Sequence, residues 1–259
     1  MRLQSKKTLT IRNRVLGGPI PWICLPLVAE DRATLLQQAK EVITYQPDAV
    51  EWRVDKFKAV RDAGAVLDSL GALREAIADT PLIFTCRIIH EGGFQEISEK
   101  DRLEVNRAVI ASGMIDLIDT ELCNGEDMIG EMKKACASFG VRLILSYHNF
   151  NETPSKAEIV ERLAAAGKLG ADVAKVAVMP KNYGDVLALL GATYKARVEI
   201  LDIPIITMSM GGEGAITRIA GGLFGSDLTF AIGKASSAPG QIPIGEIRKA
   251  WEVLPYDKR

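Results

Sequence analysis

Lys175 lies in the run DVAKVAV (172–178), where Val173, Ala174, Val176, Ala177 and Val178 are all small or apolar. Such a run reads as a buried parallel strand. An ammonium group there is costly unless it is paired or gives up its proton. Taken alone, the lysine reads as a side chain that snorkels out at a strand end. The alternative is an amine nucleophile created by burial. The chain has two histidines, His90 and His148, and His148 ends the run RLILSYH (142–148). An inward amine with an imidazole on the neighbouring strand suits Schiff-base chemistry. The amine attacks a ketone, and the iminium makes a proton on the adjacent carbon acidic. The imidazole removes that proton and then protonates a leaving hydroxyl or a departing fragment. Brønsted behaviour puts the working pKa of such a base near neutrality. Neither a metal nor an organic cofactor is required. Arg53, Arg87 and Arg218 imply an anionic substrate, since guanidinium grips carboxylate through two parallel hydrogen bonds. The run MGGEGAITRIAGG (210–222) could add backbone N–H groups at a helix start. These residues alone do not separate a dehydratase from an aldolase.

Positioning such groups takes a regular scaffold. Eight β-type runs occur, at 22–28, 49–54, 82–87, 115–122, 142–148, 172–178, 204–210 and 228–233. Amphipathic helix patterns alternate with them, among them ATLLQQAKEVITY (33–45), KDRLEVNRAVIASG (100–113) and SKAEIVERLAAAGKLG (155–170). Thr153 and Ser155 are candidate helix caps for the last. A strand–helix unit repeated about eight times with no linker predicts one (β/α)₈ TIM-barrel domain over residues 1–259. An open doubly wound sheet is the rival, but no G-x-G-x-x-G follows the first strand. Residues 8–20 (TLTIRNRVLGGPI) predict an N-terminal β-hairpin closing the barrel bottom.

Strand parity tests the barrel. Alternate residues of each strand point inward, and function sits at the C-terminal ends. Glu51 and Arg53 share one parity, as do Thr85 and Arg87, Asp119 and Glu121, Ser146 and His148, and Met208 and Met210. Each has a bland explanation: Glu51 with Arg53, or Arg87 with Glu91, could be ion pairs that plug the barrel, and the methionines could be packing. Together they converge from several strands on one mouth, where barrel interiors are ordinarily branched and apolar. That convergence makes Lys175 functional.

The 259 residues are 47% apolar and 25% charged with a net charge of −1, which describes an ordinary globular protein. There is no sustained basic stripe, so nucleic acid and anionic membrane are poor partners. No apolar run has the length of a membrane span, and the N-terminal residues lack an apolar signal core. Cys24, Cys86, Cys123 and Cys136 are far apart and form no C-x-x-C. Zinc and a disulfide framework are therefore not expected, and a reducing cytoplasm is.

Six motifs in order resemble one family: EWRVD (51–55), TCRIIHEGG (85–93), SYHNFNETP (146–154), KVAVMP (175–180), TMSMG (207–211) and SAPGQI (237–242). The chain is similar over nearly its whole length to the type I 3-dehydroquinate dehydratases of the shikimate pathway. The resemblance implies a (β/α)₈ barrel that converts 3-dehydroquinate to 3-dehydroshikimate and water by syn elimination, without metal or cofactor. It implies Lys175 as Schiff-base lysine, His148 as general acid–base and Glu91 as the carboxylate accompanying it. It assigns the substrate carboxylate to Arg218 and further substrate contacts to Glu51, Arg53, Arg87, Ser237 and Gln241. It makes residues 233–242 a closing lid, and it implies a cytoplasmic homodimer. Pro26 and Asn149 depart from the pattern, standing where a small polar residue and an aspartate are commoner. His90 matches no catalytic position and reads as a rim residue. The rival enzyme is a class I aldolase or transaldolase, which would need a phosphate clamp. The rival from another class is a non-catalytic sensor of a pathway acid, though binding alone needs no nucleophilic amine.

Overall fold

The helices begin where short polar side chains take over the first free N–H groups. Asp31 caps α1 (Arg32–Ile43) by accepting the Thr34 N–H at 2.8 Å. Asp62 does the same for α2 (Ala63–Ile77), and Ser98 for α3 (Glu99–Ala111). Of the two candidates before α5 (Lys156–Leu169), Ser155 is the cap, in a reciprocal box with Glu158. Thr153 instead donates to the Met179 carbonyl at 2.9 Å.

The computed structural model describes residues 2–233 and 240–256. Two short strands, β1 (Leu9–Ile11) and β2 (Arg14–Leu16), form an antiparallel hairpin. Eight parallel strands follow: β3 (Trp22–Leu27), β4 (Ala49–Arg53), β5 (Leu82–Thr85), β6 (Leu117–Glu121), β7 (Arg142–Asn149), β8 (Val173–Val178), β9 (Ile205–Ser209) and β10 (Leu228–Phe230). They pair in the order β10-β3-β4-β5-β6-β7-β8-β9. The remaining helices are α4 (Gly125–Phe139), α6 (Tyr183–Lys195), α7 (Ala215–Ala220) and α8 (Ile244–Val253). This is the predicted (β/α)₈ barrel with its hairpin.

Four aspartates stitch the lower rim: Asp48, Asp116, Asp172 and Asp227 each stand one residue before a strand. Each backbone N–H donates to a carbonyl on or beside the preceding strand, at Ile23, Leu82, Leu143 and Ile205. Each carboxylate accepts the N–H of that same residue, at 2.8–2.9 Å. Between β9 and β10 this clasp substitutes for a ladder. Asp227 binds Ile205 both ways, and the Ser226 hydroxyl accepts from Thr207 N–H at 3.0 Å. The hairpin uses the same anchors, with Arg12 bonded to Asp116 and Arg14 to Asp48. Its Ile11 and Leu16 pack with inward-facing Trp22, Ala49, Leu117 and Val173. That apolar layer closes the bottom of the barrel.

The parity expectation holds. Ile83, Leu117, Ile144 and Val173 belong to the inner core, whereas Trp52 and Phe84 face the helices. Trp52 packs edge-on against Phe57 and Phe84, with ring centroids 5.7 and 5.6 Å away. Above the apolar layer the inward positions turn polar at Glu51, Thr85, Asp119, Ser146 and Lys175, all buried. Pro26 costs the sheet little. Even-numbered residues of β3 face β10, as the Ala231 N–H to Cys24 carbonyl bond shows, and β10 has ended by the level of Pro26.

Candidate active site

Lys175 is inward on β8, with Ala177 above it and Ser146 of β7 as its register partner. Ala177 leaves room above the amine that a larger side chain would fill. The ammonium neither snorkels out nor sits uncompensated. Lys175 Nζ donates to Asp119 Oδ2 at 2.7 Å, lies 3.9 Å from Glu51 Oε1, and sits 4.9 Å from the centre of the Phe230 ring. Asp119 also pairs with Arg87 Nη2 at 2.8 Å and accepts from Ser146 Oγ at 2.6 Å. Burial alone would push the Asp119 carboxyl up. Arg87 and Lys175 outweigh it and hold the group well below the usual carboxylate range.

The three predicted arginines divide into two kinds. Arg87 also pairs with Glu121 at 2.7 Å and donates to Ser146 Oγ at 2.8 Å. Asp119 and Glu121 raise its affinity for the proton despite its burial. Arg53 forks onto Asp55 with two bonds of 2.9 Å, donates to the Gly92 carbonyl, and stacks 5.0 Å from the Phe94 ring centre. The bland ion pairs weighed from sequence do not form, because Arg53 takes Asp55 and Arg87 takes Asp119 and Glu121. Glu51 instead accepts from Thr85 Oγ1 at 2.8 Å. Arg218, on the last turn of α7, is 2% exposed and donates to the Phe230 carbonyl at 3.2 Å. Its burial lowers it to about 10, so it stays charged at neutral pH. An anionic ligand in the cavity would offset that cost.

His148 is the inward residue one pleat above Ser146 on β7. Glu91 Oε2 accepts its backbone N–H at 2.8 Å and meets its ring Nδ1 at 3.0 Å. With Nδ1–H donating to the carboxylate, Nε2 is left as a base toward the cavity. Burial, then the charges of Arg87 and Lys175, push His148 well below the usual imidazole value. Burial likewise raises Glu91, to about 7. The group that titrates near neutrality is therefore Glu91, where the sequence pointed to the imidazole. Glu91 ends a single 3₁₀ turn, Ile89–Glu91, closed by left-handed Gly92 at φ 86°. A side chain on Gly92 would overlap Phe150, and one on Gly93 the Arg87 carbonyl, so this loop needs both glycines to deliver Glu91.

These groups line a cavity that opens at the C-terminal mouth. Lys175, His148, Glu91, Glu51, Arg53, Arg87, Arg218 and Gln241 all border it. Ser237 lies outside the described residues, as does most of the expected lid. His90 is exposed beside the mouth. Asn149 turns away from the base, and its side-chain oxygen accepts from the N–H groups of Asn151 and Glu152. The site residues absent from the expected set are Asp119, Ser146 and Asp55. Parity placed the first two inward, and Asp55 stands two residues after Arg53, but the cross-strand register that brings them together is not readable from one sequence.

Comparison with known proteins agrees with this geometry. The model of the type I 3-dehydroquinase family matches residues 23–257. A 3-dehydroquinate dehydratase of Geobacillus thermodenitrificans is 47% identical over 251 residues, covering 96% of this chain and 97% of that one. The crystal structure of the Geobacillus kaustophilus 3-dehydroquinate dehydratase superposes with a TM-score of 0.96 at 45% identity, covering all of both chains. The type I enzyme of Clostridium difficile, solved with a covalently modified comenic acid, gives 0.93 at 41% identity over 98% of each chain. With the barrel, its polar mouth and these relatives in agreement, the chain belongs to the type I 3-dehydroquinase family, the 3-dehydroquinate dehydratases of the shikimate pathway.

Proposed function

We propose that this chain dehydrates 3-dehydroquinate through an imine on Lys175, with His148 as the single acid–base group and the elimination running syn. The observation that carries the reading is the inward Lys175 amine in the same cavity as a neutral imidazole braced by Glu91. Asp119 is held too firmly as a carboxylate to serve as the base of the reaction. The Lys175 nitrogen adds to the substrate ketone, and the ketone oxygen departs as water with two of the nitrogen's protons, which gives the iminium and leaves His148 neutral. His148 Nε2 removes a proton from the adjacent carbon, and the C–H electrons form the enamine. The imidazolium returns that proton to the β-hydroxyl, which departs as water. Hydrolysis of the conjugated iminium frees 3-dehydroshikimate and the lysine. One base that both takes and gives the proton favours the syn course, because both groups then leave from the face it occupies.

The covalently modified ligand of the Clostridium difficile relative supports a nucleophile in such a cavity. A homodimer and a cytoplasmic location, both implied by the family resemblance, complete the proposal. The activity is tested by absorbance of the conjugated enone formed from 3-dehydroquinate, with sugar phosphates as control substrates. Enone formation with no turnover of sugar phosphates supports the reading; the reverse pattern makes the chain an aldolase.

Two outcomes follow from the cavity's charges. Arg218→Ala should raise KM roughly 10- to 100-fold, the scale of a lost charge-assisted hydrogen bond. A normal KM would transfer the substrate carboxylate to another cation. The rate should fall below neutrality with a midpoint near the Glu91 value of about 7. The direction is set by charge: as pH drops, Glu91 takes a proton and no longer stabilises the imidazolium that His148 must become. A pH profile of kcat flat down to about pH 5 would remove Glu91 from that role.

A further inference from the structure

Glu91 has two oxygens, and the proposed mechanism uses one. Oε2 receives both bonds from His148, whereas Oε1 lies 3.4 Å from Cys123 Sγ, which donates to it. Cys123 sits on the 3₁₀ turn Leu122–Asn124 that follows β6. That turn is pinned by Asn124, whose amide donates to Thr120 Oγ1 at 3.0 Å and to the Glu121 carbonyl at 3.1 Å. The sulfur is thus delivered by a braced turn to the side of Glu91 that His148 leaves free.

We infer that Cys123 is a positioning residue for the reaction: its S–H holds Glu91 in the ionised, His148-facing arrangement and so sets the pH at which the base works. The inference rests on the Glu91–His148 pair proposed above. Partial shielding of the sulfur where it faces Glu91, and the charge of Glu91 itself, push the thiol up to about 12, which keeps it protonated as a donor and unsuited to be a nucleophile. The other groups acting on Glu91 are Arg87, which favours its ionised form, Glu121, which opposes it, and the His148 N–H. Against them a donor on Oε1 selectively favours the carboxylate. Neither Cys24, Cys86 nor Cys136 has such a place, since all three are buried in the two apolar cores.

The test compares kcat–pH profiles of wild type, Cys123→Val, Cys123→Ser and Glu91→Ala over roughly pH 5 to 9. Valine keeps the volume and removes the donor; serine keeps a donor. Cys123 is exposed, so both variants should fold, and their melting temperatures check this. The acid limb of Cys123→Val should move up by about half a pH unit, with kcat at neutral pH lowered a few-fold and KM unchanged. The Cys123→Ser limb should lie at or below that of wild type. Valine and serine limbs that coincide, or that move the same way, overturn the inference. If Glu91→Ala also keeps the wild-type rate and profile, the Glu91–His148 reading fails with it. If Glu91→Ala is impaired while Cys123→Val is not, only the role of Cys123 falls.

Discussion

Lys175→Arg is expected to abolish turnover, by roughly 10⁵-fold or more, on the scale of losing a covalent nucleophile. The substitution keeps the positive charge that Asp119 and Glu51 surround. It removes the one property the mechanism needs, because a guanidinium does not lose its proton near neutral pH and forms no imine. If Lys175 were only a structural cation completing the buried network with Asp119, arginine would be the mildest replacement, and much of the activity would survive. Thermal unfolding close to wild type, read beside lost activity, separates a missing nucleophile from a damaged barrel. Lys175→Met is a harsher control. It leaves Asp119 paired with Arg87 alone, and stability should drop as well as rate, since breaking one partner from a buried charge cluster is costly.

His148→Ala should lower kcat by about 10²- to 10⁴-fold, as for other lost acid–base groups, without preventing attachment of substrate to Lys175. The imidazole acts chiefly after the imine exists, so the variant should accumulate a Lys175 adduct during single-turnover mass spectrometry. Release of that adduct should be slow too, because carbinolamine formation and hydrolysis each need proton transfers. Glu91→Ala should show a partial form of the same defect, since Glu91 orients the ring through Nδ1 and stabilises its protonated form. A His148 variant that turns over normally would remove the imidazole from the mechanism. The remaining histidine, His90, is exposed, so Glu91 would become the first candidate for the proton shuttle.

The barrel was legible because its signals are local and periodic. Eight apolar runs alternating with amphipathic patterns gave the strands to within a few residues, and parity put Lys175, His148, Glu51 and Arg87 on the inner face. The largest boundary differences are at strand ends. The run at 82–87 ends as a regular strand at Thr85 and the run at 228–233 at Phe230, where the mouth loops begin. What stayed hidden depends on partners far apart in the chain. Asp119 meets Lys175 across 56 residues, and Arg87 meets Ser146 across 59. No local pattern carries those distances. Their consequence is chemical as well as structural: the lysine is ion-paired where the sequence offered a choice between snorkelling and a stripped amine. Arg53 and Arg87 are largely engaged by the protein's own carboxylates. Asp48, Asp116, Asp172 and Asp227 recur before alternate strands in plain sight, yet their meaning as clasps needed the register of the sheet.

The central claim is a covalent bond between Lys175 and the substrate carbonyl carbon. Its most direct test is borohydride reduction of the protein incubated with 3-dehydroquinate, followed by peptide mapping. Borohydride turns an imine into a stable secondary amine. The expected result is irreversible loss of activity, with the added mass confined to the peptide that carries Lys175. An adduct on Lys168 or Lys181 instead, or no adduct while the enzyme turns over, would contradict the account.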